Sequence, residues 1–331
     1  MFVRSQLLAL CAMMFLPFGN LAAEEPAANV ISYHGYTQAI EIKLGKTRAV
    51  LCPQAGGRVL EFSVDGTNAL YLAEAEKNWQ PGKPGPITAG RFDYGPELTV
   101  TQHPKAWSGE WSAEITKTLS AKLTSPLDDV AGIQLIREFR LLPHDQTVCL
   151  SCKQTMLNTS KETKEVCHWG RSFSPGGGIC VIPLGSRPSR FPSKYAMYED
   201  SAIINVKAND DRIRERDGFL EILAPPRKPK LGFDTYAGWI GYVLPGDTLF
   251  VKRFPTYPDR VYNEAAGLTL SVWYPTGPQI ELEPIGPRER LKPGESASFT
   301  EDWWVLKHPF PKKGQQIDLK ELNEQVEKQT K

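Results

Sequence analysis

Long apolar runs are what this 331-residue sequence most lacks. Beyond its first two dozen residues nothing approaches 18 consecutive apolar positions, so no later stretch reads as a membrane-spanning helix. An excess of one charge is missing too. The sequence sets 39 Lys+Arg against 38 Asp+Glu, a formal net charge of +1, with no long run of either sign. That argues against a nucleic-acid partner and against an acidic tail. Cysteine is sparse: besides Cys11 there are Cys52, Cys149, Cys152, Cys167 and Cys180, an odd set without the two CxxC pairs of a zinc site. One or two disulfides can form and none is demanded. Cys149 and Cys152, three apart in one strand, face opposite ways, which leaves Cys167 with Cys180 as the better-placed pair. GxSxG, HExxH, GxGxxG and the EF-hand loop are all absent, and the glycines Gly176, Gly177 and Gly178 have neither GK[ST] nor a helix pattern behind them. A serine hydrolase, a metalloprotease and a nucleotide enzyme are disfavoured, and no cofactor or metal is implied.

The one apolar segment present is at the start. MFVRSQLLALCAMMFLPFGNLAAEEP has a single early charge at Arg4, an apolar stretch from Leu7 to Phe18, and small residues before Glu24. This is the order of a cleavable secretory signal, with the cut expected after Ala23. The stretch is too short for a hydrocarbon core that needs about 20 residues. Leu10 stands before Cys11 where a lipoprotein needs a small residue. The mature chain is therefore expected in the periplasm or outside the cell, free of the membrane and acting as a monomer.

Gly and Pro number 27 each and fall between short apolar segments, at turns such as Asp65-Gly66, Asp217-Gly218 and Gly246-Asp247. Apolar residues alternate with polar ones in Ala39–Leu44, Arg58–Val64, Gln279–Glu283 and Ser296–Thr300. Period two predicts half-buried strands of antiparallel sheets. The expected fold is all-β, a large two-sheet antiparallel sandwich over 24–315. A helix is predicted from Asp318 to about Lys328, where Leu319, Leu322 and Val326 share a face within the tail 316–331. No linker or repeat divides the chain. The Pro/Gly-rich stretch Gln80–Gly95 holds Arg91, Phe92, Asp93 and Tyr94 and reads as a binding loop.

Three constellations could carry chemistry. His103 with Trp107 and Trp111 sits among small and polar residues, and indole faces suit the apolar face of a sugar; the same indoles could instead cap the sandwich. His168 and Arg171 follow a strand and lead into the Gly176–Gly178 loop, where they could converge on a ligand; alternatively His168 is a hydrogen-bonded structural residue. Glu281 and Glu283 share one face of a strand, so at least one is expected to have a raised pKa or a cationic partner, unless they lie on the solvent face of an edge strand. Of Lys252 and Arg253, flanked by apolar residues, one must face inward or across a cleft and could supply that cation.

In their order these pieces resemble the galactose mutarotase-like (aldose 1-epimerase-like) superfamily, in particular exported bacterial members. Gly56–Phe62 with Asp65-Gly66 is similar to the first hairpin, Thr147–Leu157 with Asn158-Thr159-Ser160 and His168 to the histidine strand, and Ile280–Pro284 with Leu291–Ser296 to the closing strand and its LKPGE turn. The resemblance implies a β-supersandwich, a carbohydrate partner, His168 as general acid and Glu283 as base. Arg91, Asp93, Trp107, Trp111, Arg171, Lys252 and Glu281 would bind the sugar. A segment like "LHGG" has no counterpart in Gly90–Glu97, and His103 is the candidate replacement. Two other readings remain: a non-catalytic glycan-binding protein, and a polysaccharide lyase-like protein using Tyr94 and Arg91. Amino-terminal sequencing of exported protein is expected to start at Glu24; a mature chain starting at Met1 would contradict the signal.

Overall fold

The computed structural model describes residues 25–200 and 203–331, so the expected signal segment lies outside the described residues. Two antiparallel sheets pack face to face. The larger runs, in its middle, through Arg58–Val64, Gly90–Gly95, Lys164–Pro175, Gln279–Pro284, Leu270–Trp273 and Lys230–Phe233. The smaller is centred on Trp239–Leu244, Thr248–Arg253, Ser296–Lys307, Thr147–Asn158 and Ile133–His144. This is the expected β-supersandwich. Phe62, Phe92 and Leu282 from one sheet meet Phe139, Phe250 and Trp303 from the other in a continuous core. Among the described residues no helix is long and apolar enough to cross a membrane.

Central position changes the burial expected from alternation. Arg58–Val64 is buried through Ser63, and Gln279–Pro284 from Ile280 onward. Each is flanked by strands on both sides, and its polar residues are covered by other side chains, Glu61 by Tyr33 and Arg48 and Glu281 by Arg171. The edge-strand alternative for Glu281 and Glu283 does not hold. Gly90–Gly95, expected as part of a binding loop, is likewise a fully buried central strand.

The tail helix forms over Leu319–Gln329, where Asp318 caps the backbone amides of Lys320 and Glu321 at 3.1 and 3.0 Å. Leu319, Leu322 and Val326 pack on Val251, Trp304 and Leu306 at the outer face of the smaller sheet. Arg253 points to this helix and pairs with Glu327 at 2.8 Å, while Lys252 points between the sheets. All five described cysteines are free and buried. The Cys167–Cys180 bridge does not form, because Cys180 lies in the core between the sheets and Cys167 on the far side of the larger one with Trp169. Cys149 and Cys152 do face opposite ways.

Between the sheets runs a buried polar network. Glu301 accepts from His168 Nε2 at 2.7 Å and pairs with Lys252 at 2.8 Å through its other oxygen, which also accepts from Trp303 Nε1 at 3.0 Å. Lys252 further donates to Ser172 Oγ and to the Leu282 carbonyl. Arg137 donates to the carbonyls of Gly56, Gly57 and Phe92 and to Gln154 Oε1. The whole network is enclosed; Glu301 and Lys252 have no exposed surface. Burial raises the carboxyl pKa of Glu301, but Lys252 and His168 outweigh it and hold the group at about 2. Gly170 is needed here, since a methyl group on it would overlap the Glu301 carboxylate. Gly170→Ala is expected to lower unfolding free energy by about 3 kcal/mol, by displacing a buried paired charge. Equal urea midpoints for variant and parent would contradict this account.

Candidate functional site

Strand alternation sorts the site residues onto two faces. In Lys164–Pro175, His168, Gly170 and Ser172 point between the sheets, whereas Trp169, Arg171 and Phe173 point to the opposite, outer face. Antiparallel register then selects their neighbours. Phe173 lies opposite Glu281, which lies opposite Trp273, which lies opposite Lys230. On the other side Arg171 pairs with Arg91 and Trp169 with Asp93. Arg171, Phe173, Glu281, Trp273 and Lys230 build the floor of an open cleft of about 740 Å³, walled by the segments at Glu97-Leu98 and at Tyr198–Asp200.

Two ion pairs dominate the floor. Arg171 Nε donates to Glu281 Oε1 at 2.7 Å, and its guanidinium sits near the indole faces of Trp169 and Trp107, at 4.7 and 5.0 Å. Lys230 Nζ donates to Glu283 Oε2 at 2.6 Å, and Trp169 Nε1 donates to the same oxygen at 2.7 Å. Glu283 Oε1 is buried with no hydrogen-bond partner. Glu283 has no exposed surface and lies beneath Lys230; Glu281 lines the cleft itself. Burial first, and the neighbouring Glu283 second, push the Glu281 carboxyl up to about 6 against the opposing pull of Arg171. The sequence expectation for two carboxylates on one strand face is met in both of its forms. Behind the wall, burial pushes Glu264 up to about 7, and this carboxyl accepts from the backbone amide of Glu97 at 2.8 Å.

His103 does not line the cleft and is held beside Asp93. Its Nε2 lies 2.6 Å from Asp93 Oδ1 and its Nδ1 2.7 Å from the Thr101 carbonyl. Both neighbours can only accept, so both ring nitrogens carry hydrogen. Burial opposes the charge, and the Asp93 hydrogen bond outweighs it to raise the histidine pKa above its ordinary value. The resulting imidazolium is buried and committed to Asp93.

Of the residues expected at the site, Glu281, Glu283, Arg171, Asp93 and Trp107 come together on the outer face. Four do not serve it. His168 faces the opposite way, 1 % exposed, donating through Nε2 to Glu301 and accepting at Nδ1 from Gln154. Burial lowers its pKa more than Glu301 restores it, and the ring is neutral. It cannot meet Glu283 over one ligand, because the sheet lies between them. Lys252 is in the same interior network, and Trp111 is packed over Arg137 in the core. Arg91 is buried, its guanidinium spent on the carbonyls of Gly85, Pro86 and Trp107. Tyr94 is also buried, so the Tyr94–Arg91 pair of the lyase-like reading does not line the cleft. Sequence reasoning missed Lys230, Trp273, Phe173 and Tyr198. Lys230 stands 53 positions from Glu283, and only sheet register brings the two together. Among the described residues no cluster of three or more His, Cys, Asp or Glu side chains is arranged to hold a metal.

No protein-family model and no curated protein matches the chain. Solved structures do. A galactose mutarotase-like protein from Lactobacillus casei superposes with a TM-score of 0.57 at 12% identity, covering 81% of this chain and 100% of that one. A galactose mutarotase-like protein from Clostridium acetobutylicum gives 0.54 at 12% identity, over 85% and 98%. The Slr1438 protein from Synechocystis gives 0.54 at 14% identity, over 89% and 100%. The fold is thus galactose mutarotase-like. By carbon-13 NMR the Glu281 side-chain carboxyl is expected to titrate near pH 6. A midpoint below 5 would remove the electrostatic case for this residue.

Proposed function

We propose that the protein is an exported carbohydrate-binding protein that holds a sugar in the cleft over Arg171, Glu281 and Lys230. The observation that carries this reading is the composition of the floor: the charged side chains of Arg171, Glu281 and Lys230, which can bond a rim of hydroxyls, set beside the aromatic side chains of Phe173 and Trp273. A pyranose presents those two kinds of surface, and a fixed guanidinium–carboxylate pair offers donors and acceptors at once. The fold supports it, since two of the solved neighbours are galactose mutarotase-like proteins.

A second reading, an epimerase-like enzyme, is favoured by the Glu281 carboxyl. Ring opening at the anomeric carbon requires removal of the C1 hydroxyl proton, delivery of a proton to the ring oxygen and breakage of the C1–O bond between them. A group poised near 6 gives and takes protons readily at neutral pH. In this reading Glu281 does the work the family resemblance assigned to His168 and Glu283. Glu283, beneath the floor, acts as a positioning residue: it raises the proton affinity of Glu281 and anchors Lys230.

Mature protein mixed with single anomers of glucose and galactose is expected to raise its melting temperature and to speed anomer exchange followed by NMR. Glu281→Gln should cut the exchange rate at least about 100-fold, with the thermal shift kept. Stabilisation without exchange would leave the binding reading alone. Neither effect with any sugar would overturn both.

A further inference from the structure

The width of the cleft says how much sugar it takes. Its floor spans four adjacent strands: Arg171 and Phe173 on Lys164–Pro175, Glu281 on Gln279–Pro284, Trp273 on Leu270–Trp273, and Lys230 on Lys230–Phe233. Strands lie about 4.8 Å apart, so three gaps make the floor about 14 Å wide. A pyranose measures roughly 3 Å between opposite ring atoms and about 6 Å between opposite hydroxyl oxygens, from ordinary bond lengths. One ring therefore covers less than half of the floor. The volume of about 740 Å³ agrees, falling in the upper part of the roughly 300–1,000 Å³ span that encloses drug-sized ligands.

The rim adds a second, independent observation. Ile87 and Leu98 both line this cleft, and they are 56% and 68% exposed. Single exposed apolar residues need no explanation. Two of them lining the same cleft leave apolar surface in water that a ligand reaching the wall would cover, and the C–H faces of a second sugar ring are suited to it.

We propose that the cleft takes the end of an oligosaccharide of at least two residues, one over the Arg171–Glu281 pair and the next against Ile87 and Leu98. The inference rests on the carbohydrate reading and extends it from a free monosaccharide to a glycan chain. Glucose and galactose on one side, and β-1,4-glucan, α-1,4-glucan and β-1,4-galactan oligomers of two to four residues on the other, titrated calorimetrically into the mature protein, test it. In the series that binds, affinity is expected to rise at least tenfold from one residue to two. In an Ile87→Ser, Leu98→Ser double variant, changed only at exposed side chains, that gain should disappear while monosaccharide affinity is unchanged. Equal affinity for monosaccharide and oligomer overturns the inference and leaves the carbohydrate reading intact. A tenfold gain that survives in the double variant overturns the placement of the second residue on this rim. No heat from any saccharide overturns inference and reading together.

Discussion

Glu301 is a buried carboxylate with no exposed surface, and much of this molecule is arranged around that charge. Placing an ion between two apolar sheets costs several kcal/mol unless it is paired and hydrogen-bonded on every side. The smaller sheet supplies Lys252 and Trp303, and the larger supplies His168. Lys252 also reaches Ser172 and the Leu282 backbone, so one charge pair ties two neighbouring strands of the opposite sheet. The register of Lys164–Pro175 follows, because a slip of one residue would exchange His168 for Trp169 or Cys167 and take away the imidazole donor of Glu301 Oε1. Gly170 then has to be a glycine, since the carboxylate occupies the place of its side chain.

That interior constraint determines the exterior. With His168, Gly170 and Ser172 committed inward, Trp169, Arg171 and Phe173 must face outward, and register sets Glu281, Trp273 and Lys230 beside them. The cleft and the network are therefore the two faces of the same strands. A change in the network can reach the cleft through backbone position alone, even though no side chain is shared. Chemistry in the cleft has to come from carboxylates, cations and indoles, because the imidazole on that strand is spent inside.

The sequence made the fold legible through alternation, turn signals and the order of motifs, and Leu319, Leu322 and Val326 placed the helix to within a residue of its bounds. It also made Glu281 and Glu283 legible, since two carboxylates two apart on a strand must share a face. It could not show which face His168 takes. Period two fixes that His168 and Arg171 point oppositely, but either could have been inward, and what decides is Glu301, 133 positions away. Lys230 was hidden for the same reason: its local context signals a turn, and its partner is reached only across two intervening pairings. Trp107 and Trp111 looked alike in sequence and separated in space, one half-buried beside Arg171 and one packed over Arg137.

The two faces also pull stability in opposite directions with pH. Glu301 sits at about 2, below its ordinary 4.5, so its contribution is complete above 4.5 and is lost as pH falls toward 2. His168 is held neutral below its ordinary 6.5, so acidification favours the unfolded chain, which takes up the proton first. Glu281 behaves in the reverse sense. Its pKa is raised from 4.5 to about 6, so it costs nothing below 4.5, and the cost grows as pH rises to 6 and persists above. Between pH 4.5 and 6 the interior gains stability with rising pH while the cleft loses it. A fold optimised for stability alone would place no second carboxylate beneath Glu281. Keeping Glu283 there, with one oxygen unpartnered, is a standing cost borne on the face that carries the cleft, which is where a site that handles protons would be expected to bear it.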